Sequence, residues 1–398
     1  MKILFVHNRY LQNAGGEDST VEAETALLRA RGHEVRILIF QNEKPSSGIV
    51  SGFIAGSKII YNKGSANILR GEALNFQPDI IHVHNFFYEA SPSVIIEAKK
   101  LGFPVVVTLQ NFRLICANGL LLRQNRVCEL CVHHSFPWFG VKYKCYHSSS
   151  LQSAAVGSMA AFHKVMNTWR GKVDRYITPS IFMKNRLINS SLKLSDKAIS
   201  VKRNFVTDPG FSNPSLRESF FLFVGRLSEE KGVEILLKAF KDMPGQKLVL
   251  AGDGPLSADL QNRFKEYNNI QFLGKQNRDQ VIILMKQCKA LIFPSIWYEG
   301  LPLTIIEALS VGTPVISSNL GAMQEMIEDG ISGLLFKAGD VSDLREKVLN
   351  YVEMGNKNYS YYQQARDKYV DIFHPDVCYQ DIMRIYESLL QMNALHPN

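Results

Sequence analysis

The feature that most constrains this chain is a repeating alternation of a short apolar run, a loop, and a stretch with apolar residues at helical spacing. In the first half the runs are Lys2–Val6, Val35–Phe40, Asp79–Val83, Pro104–Leu109 and Tyr176–Thr178. In the second they are Phe220–Val224, Lys247–Ala251, Ile270–Leu273, Ala290–Phe293 and Pro314–Ser317. Between them, groups such as Val21, Ala26, Leu27 or Val233, Leu236, Leu237, Phe240 mark one face of a helix. Unbroken apolar strands alternating with helices imply parallel sheets covered on both faces. Two such sets predict an α/β chain of two Rossmann-like domains, with the site in the cleft they face. The stretch Asn204–Ser219 carries Pro209, Gly210 and Pro214 among polar residues, as a linker does. It sets domains at 1–204 and 205–375. From 376 on, Ile382, Ile385 and Leu389 follow helical spacing and predict a terminal helix.

Composition removes several classes. With 46% hydrophobic and 21% charged residues, the chain is neither disordered nor collagen-like. Its longest apolar stretches, such as Phe103–Leu109, are too short to cross a bilayer. The opening has only Ile3–Val6 as an apolar run, which reads as a strand, not a signal peptide, and predicts a cytoplasmic protein. Charge is uneven. Residues 1–200 hold 24 Lys/Arg against 13 Asp/Glu, and residues 201–398 hold 21 against 24. The basic half suggests an anionic partner, set against the plain alternative of a solvated basic surface. Nucleic acid is not expected, because no zinc-finger or base-stacking motif accompanies the charge and the second half is acidic.

Two motifs ask for chemistry. In Gly225-Arg226-Leu227-Ser228-Glu229-Glu230-Lys231-Gly232, a strand runs into a tight loop, and two cations flank the start of the next helix. That arrangement suits a diphosphate, against the alternative of an exposed basic turn. In Glu299-Gly300-Leu301-Pro302-Leu303-Thr304-Ile305-Ile306-Glu307, Pro302 suits a first helical turn. Glu299 then lies in the loop above a strand end, and Glu307 lies about a turn and a half into the helix. Carboxylates there are good acceptors for sugar hydroxyls, and the free N–H groups of Leu303 and Thr304 can hold phosphate oxygens. Two plain surface glutamates are the alternative.

These runs, with Ala251-Gly252-Asp253-Gly254-Pro255 and Asn319-Leu320-Gly321-Ala322…Glu325, resemble glycosyltransferase family 4, retaining enzymes of the GT-B fold. The resemblance covers nearly the whole chain. It implies that the terminal helix, 376–398, crosses back to the first domain. It implies that Arg226 and Lys231 bind the diphosphate of a nucleotide-sugar and stabilise its charge as it leaves. It further implies that Glu299 orients the donor sugar, that Glu307 holds the ribose, and that Gly300 and Leu301 belong to the donor site. Gly16, in the run Asn13-Ala14-Gly15-Gly16-Glu17-Asp18 before a helix, would let backbone N–H groups approach a phosphate, where the alternative is a plain turn. No Asp-x-Asp occurs, so the two cations would stand in for a metal, and no catalytic cofactor is expected. The acceptor implied is a glycan or lipid-linked sugar in polysaccharide assembly, reached at an anionic membrane surface by the basic half. A sugar-nucleotide epimerase of the same fold fits the paired motifs less well.

The chain departs from the family at one position. A family Thr-x-His pattern reads here Thr108-Leu109-Gln110. Gln110 can hydrogen-bond but cannot carry a proton or a charge at neutral pH. This leaves open a catalytically impaired sugar-nucleotide binding protein. His82 and His84 alternate on a strand and share a face, which puts His84 forward as an acceptor-side residue or a structural one. Finally, Cys116, Cys128, Cys131 and Cys145 follow a C-x11-C-x2-C-x13-C spacing in a loop-like insertion over 111–150. In a reducing compartment this reads first as structural zinc, with His133, His134 and His147 as spare ligands. Buried thiols or, in an oxidising compartment, two disulfides are the alternatives. Cys288 and Cys378 read as isolated core residues.

Overall fold

The computed structural model describes residues 1–9, 16–42, 58–355 and 359–395. It divides into two compact units. Unit one consists of Met1–Leu121, Cys128–Arg203 and the chain from Cys378 onward, and unit two of Leu122–Val127 and Asn204–Val377.

The strands of unit one are β1 (Lys2–Arg9), β2 (Glu34–Gln41), β3 (Ile80–Asn85) and β4 (Val105–Thr108). After a two-residue hairpin, β5 (Leu122–Arg123) and β6 (Arg126–Val127), come β7 (Arg175–Thr178) and β8 (Ile199–Val201). Strands β2-β1-β3-β4-β7-β8 form one sheet in that order, each pair parallel where its register is defined. Ile3, Leu4, Phe5 and Val6 are all fully buried, as the unbroken run requires for a sheet covered on both faces. Helix α1 (Gly16–Ala30) covers part of it through Val21 and Leu28.

Unit two has β9 (Phe220–Val224), β10 (Lys247–Ala251), β11 (Ile270–Gly274), β12 (Ala290–Phe293), β13 (Val315–Ser318) and β14 (Gly333–Phe336). Their order is β11-β10-β9-β12-β13-β14, all parallel. This is the doubly wound order of a nucleotide-binding sheet, with its reversal between β9 and β12. Helix α2 (Val233–Lys241) packs Val233, Leu236, Leu237 and Phe240 onto the sheet, the stripe predicted from sequence. Helix α3 (Leu303–Ser310) follows β12. It starts one residue later than the sequence suggests. Pro302 is extended (ψ 118°) and sits just outside the helix as its cap.

The last helix, α4 (Pro375–Leu395), packs Ile382, Ile385, Tyr386 and Leu389 into the same core cluster as Ile3, Phe5 and Ile80. Tyr386 also reaches a buried ionic group. Its hydroxyl is 2.6 Å from His82 Nδ1, while His82 Nε2 is 2.7 Å from Thr108 Oγ1. His82 and His84 do share a face, with ring centroids 4.3 Å apart. Both approach Glu24 of α1, at 3.6 and 3.3 Å, and Lys202 contacts the other oxygen of Glu24 directly. The ligand atoms of Glu24, His82 and His84 lie within 4.8 Å of one another. The Lys202 ammonium already supplies a cation to this carboxylate, so the trio is accounted for as an internal ion pair. Burial alone would raise the Glu24 carboxyl, but Lys202 and then His84 outweigh it and hold it well below the usual range. Burial, followed by its neighbour His84, keeps His82 neutral and pulls its pKa far down.

This cluster makes unit one acid-sensitive. Below about pH 6.5, the ordinary His value, the unfolded chain takes up a proton that native His82 resists, and stability falls. Below 4.5, the ordinary Glu value, the unfolded chain also protonates Glu24 while the native state keeps it charged, and stability falls further. Calorimetric Tm should therefore drop in two stages on acidification. Lys202→Met should cost about 3–5 kcal/mol, because it strands a buried carboxylate. A neutral effect in denaturant titration would contradict the assignment.

Candidate functional site

The carboxyl ends of β9 and β12 flank the reversal point of the second sheet, where open α/β sheets bind ligands. The loop after β9 carries Gly225 to Lys231 into α2, and the loop after β12 carries Pro294 to Pro302 into α3. Backbone contact locks these loops together. Ile296 N donates to Glu230 O at 3.0 Å. Gly232, at φ +68°, lies so close to Pro294 that a Cβ would stand 1.9 Å from its carbonyl oxygen. Likewise a Cβ on Gly252 would stand 1.8 Å from Gly225 O. Gly232 and Gly252 are thus required by close backbone approach as well as by turning.

Glu299 lies at the centre of this arrangement and is only 7% exposed. Its Oε1 accepts from Lys231 Nζ (2.7 Å), Ser295 Oγ (2.6 Å) and Trp297 Nε1 (2.8 Å). No described hydrogen bond uses its Oε2. The Lys231 ammonium also lies 5.5 Å from the Trp297 ring centroid and 5.7 Å from that of Phe293, within cation–π range. One carboxylate oxygen is thereby pinned by three donors. Arg226, between Gly225 and the buried Leu227, is exposed.

Glu307 is the fifth residue of α3 and is half-buried. Burial raises its carboxyl above the usual range, opposed by Arg278, whose Nε is 3.8 Å away. The N–H groups of Leu303 and Thr304 precede the helical ladder, and no side chain caps them. Leu301 is buried and Gly300 half-buried. All the second-unit residues expected from sequence therefore lie on the two loops at this reversal point or on the first turns of α3. Ser295 and Trp297 were not anticipated as supports of Glu299. Both stand just before Glu299 in sequence, but spacing alone does not show that their donors converge.

In unit one the expected residues fall at the ends of β1, β3 and β4. Gly16 opens α1 and is exposed, while Asn13, Ala14 and Gly15 lie outside the described residues. His84 is buried, with Nε2 turned to Glu24. Its Nδ1 has no partner among the described residues. Gln110 is half-buried just beyond β4. Beside it, Asn111 Nδ2 donates to Glu17 Oε1 at 2.9 Å, and Asn85 Nδ2 donates to Glu17 Oε2 at 3.3 Å. His7 Nε2 meets Asp18 Oδ1 at 2.5 Å. Sequence reasoning missed this set, which α1 gathers by presenting Glu17 and Asp18 in its first turn.

Comparison with known proteins places the chain in a family. Residues 14–206 match the family model described as Glycosyltransferase Family 4, and residues 207–368 match the one described as Glycosyl transferases group 1. The chain belongs to glycosyltransferase family 4. An uncharacterized glycosyltransferase of Methanocaldococcus jannaschii is 29% identical over 54% of this chain and 60% of its own length. The O-antigen chain mannosyltransferase C of Escherichia coli is 29% identical over 44% of this chain and 48% of its own length. The chain thus spans about half the length of these curated relatives. Among solved structures, Anabaena Alr3699/HepE in complex with UDP superposes with a TM-score of 0.70 at 18% identity, over 98% of this chain and 100% of that one. The same protein is also solved with UDP-glucose. At that identity the likeness establishes the GT-B fold.

The glycine geometry makes a direct prediction for this chain. Gly232→Ala should destabilise unit two, because the methyl group meets a fixed backbone carbonyl at a positive φ. Thermal melting should show a clear drop in Tm. Gly245→Ala, where nothing lies within 4 Å, should leave it nearly unchanged.

Proposed function

We propose that the protein is a retaining glycosyltransferase that moves a sugar from a nucleoside-diphosphate sugar to a glycan or lipid-linked acceptor. The observation that carries this reading is the convergence of Lys231, Ser295 and Trp297 on one oxygen of Glu299. It fixes a carboxylate beside a cation at the ligand-binding edge of the sheet. The pyrophosphate would lie against Lys231, Arg226 and the free N–H groups of Leu303 and Thr304. A donor-sugar hydroxyl would bond Glu299 Oε2, and the ribose would bond Glu307. The complexes of the Anabaena neighbour with UDP and UDP-glucose support a donor of this class.

In the step proposed, the acceptor oxygen bonds the anomeric carbon on the face the diphosphate leaves. The bond from that carbon to phosphate oxygen breaks, and the acceptor proton passes to the leaving phosphate. Charge builds on the diphosphate, and cations held in place beforehand stabilise it without reorganisation. Lys231 and Arg226 would supply that charge without a metal. Glu299, with three donors on one oxygen, is a weakened nucleophile, which favours direct transfer over a glycosyl-enzyme. Gln110 would orient the substrate without proton transfer.

Polysaccharide assembly at the cytoplasmic face of an anionic membrane is the setting proposed. Among the described residues, no helix is long and apolar enough to cross a membrane. Unit one does expose Trp138, Leu151, Phe162, Val165 and Met166. Lys142, Lys144, Arg170 and Lys172 are close by in sequence, and apolar anchors with basic residues suit an anionic surface.

Thermal-shift screening should find a nucleoside-diphosphate sugar that raises Tm. Lys231→Met should abolish that shift and lower turnover by about 100-fold or more, read as nucleoside-diphosphate release. Gln110→His should change turnover little. A gain of several orders of magnitude would instead show the natural chain to be an impaired sugar-nucleotide binder. Separately, binding to vesicles containing anionic lipid should weaken as salt rises. Binding indifferent to salt, or none, would contradict the membrane setting.

A further inference from the structure

The stretch between β4 and the helix Ser150–Val165 has little regular structure. It contains only the hairpin β5–β6 and a five-residue helix, Trp138–Lys142. Six of the ten described non-glycine residues with positive φ lie in it: Leu121, Gln124, Asn125, Lys144, His147 and Ser148. A backbone so irregular needs something other than ladders to hold it.

Its cysteines are brought together by specific contacts. Cys128 N donates to Leu121 O at 2.8 Å, which ties the second cysteine to the turn that begins at Cys116. Gly140 lies beside two of the other cysteines. A Cβ placed on it would stand 2.9 Å from the Ala117 side chain and 3.8 Å from Cys131 Sγ, and its carbonyl accepts from Cys145 N at 2.9 Å. Cys131 is in electrostatic reach of Cys116, Cys145 and Cys128 together. None of the four is in a disulfide.

Burial pushes the Cys116 and Cys131 thiols up, so they keep their protons until a metal displaces them. The turn at Cys116 is closed by hydrogen bonds: Gly119 N donates to the Cys116 carbonyl at 3.0 Å, and the Cys116 S–H and Leu120 N–H both donate to Asn118 Oδ1 at 2.9 Å. Lys164 donates to the carbonyls of His134 and Ser135 and lies within electrostatic reach of Cys131. Its charge would offset that of a metal with four thiolates. A small cavity is lined by Cys116, His134 and Lys164. The sulfurs do not form a trio as tight as Glu24, His82 and His84, so metal binding would draw them inward to the roughly 2.3 Å bonds of zinc.

From this convergence we infer that Cys116, Cys128, Cys131 and Cys145 form a structural site for a divalent, thiolate-seeking metal of the zinc class, which fastens the cysteine-bearing parts of unit one. Binding releases the thiol protons and adds directly to folding stability. The inference stands apart from the transferase reading, since a structural metal would be bound whether or not sugar is transferred.

Elemental analysis of the full chain, purified without chelator, should find about one zinc per chain. An organomercurial should release it with loss of Tm. Cobalt substitution should give the visible bands of a tetrahedral thiolate site. Cys131→Ser should lose the metal, and Cys288→Ser should keep it. Should Cys131→Ser fail to fold, the wild-type stoichiometry and cobalt spectrum still decide. A folded chain from zinc-supplemented growth that holds no metal would overturn the inference. So would disulfides mapped among the four cysteines, or cobalt bands lacking thiolate charge transfer.

Discussion

Three hydrogen bonds on one oxygen of Glu299 organise the second unit's site. A carboxylate in a loop is free to rotate, and freedom of that kind is costly when a ligand must be ordered. Lys231, Ser295 and Trp297 remove it in advance. Lys231 in turn is held over two aromatic rings, so its charge is placed as firmly as the carboxylate it meets. The loops after β9 and β12 approach this closely because Gly232 has no side chain to meet the Pro294 carbonyl. Sequence, loop geometry and electrostatics here express one constraint: charge must be fixed before ligand arrives.

Unit one is organised differently. Its polar interior is an ionic cluster built from distant parts of the chain: Glu24 on α1, His82 and His84 on β3, Lys202 after β8, and Tyr386 on α4. Buried charges of this kind contribute little net stability but penalise any arrangement that separates them. Through Tyr386 and His82 the cluster ties α4 to the sheet. The same group draws His84 inward, which makes Gln110, Asn111 and Glu17 the more accessible polar set at that sheet's edge.

Much of this was legible in the sequence, and the reasons are physical. Parallel strands covered on both faces must be continuously apolar, so Ile3–Val6 and Phe220–Phe223 announce themselves. The strands of the two large sheets that were missed, Ile199–Val201 and Gly333–Phe336, are short edge strands with too few residues for a periodic signal. Glu299, Lys231 and Glu307 were visible because loop motifs at strand ends are local in sequence. Convergence across distance was not visible. Nothing in the spacing ties Lys202 to Glu24, His7 to Asp18 or Asn111 to Glu17, since those pairs depend on strand order. Pro302 was misplaced by one residue because it is tolerated both as a cap and in the first turn.

The central claim is that the Lys231–Glu299 pair marks the donor site. A crystal structure of the protein with a nucleoside-diphosphate sugar tests it most directly. The account predicts pyrophosphate against Lys231 and the first turn of α3, with a sugar hydroxyl on Glu299 Oε2. Donor bound elsewhere, with the Lys231–Glu299 contact undisturbed and unvisited, would contradict it.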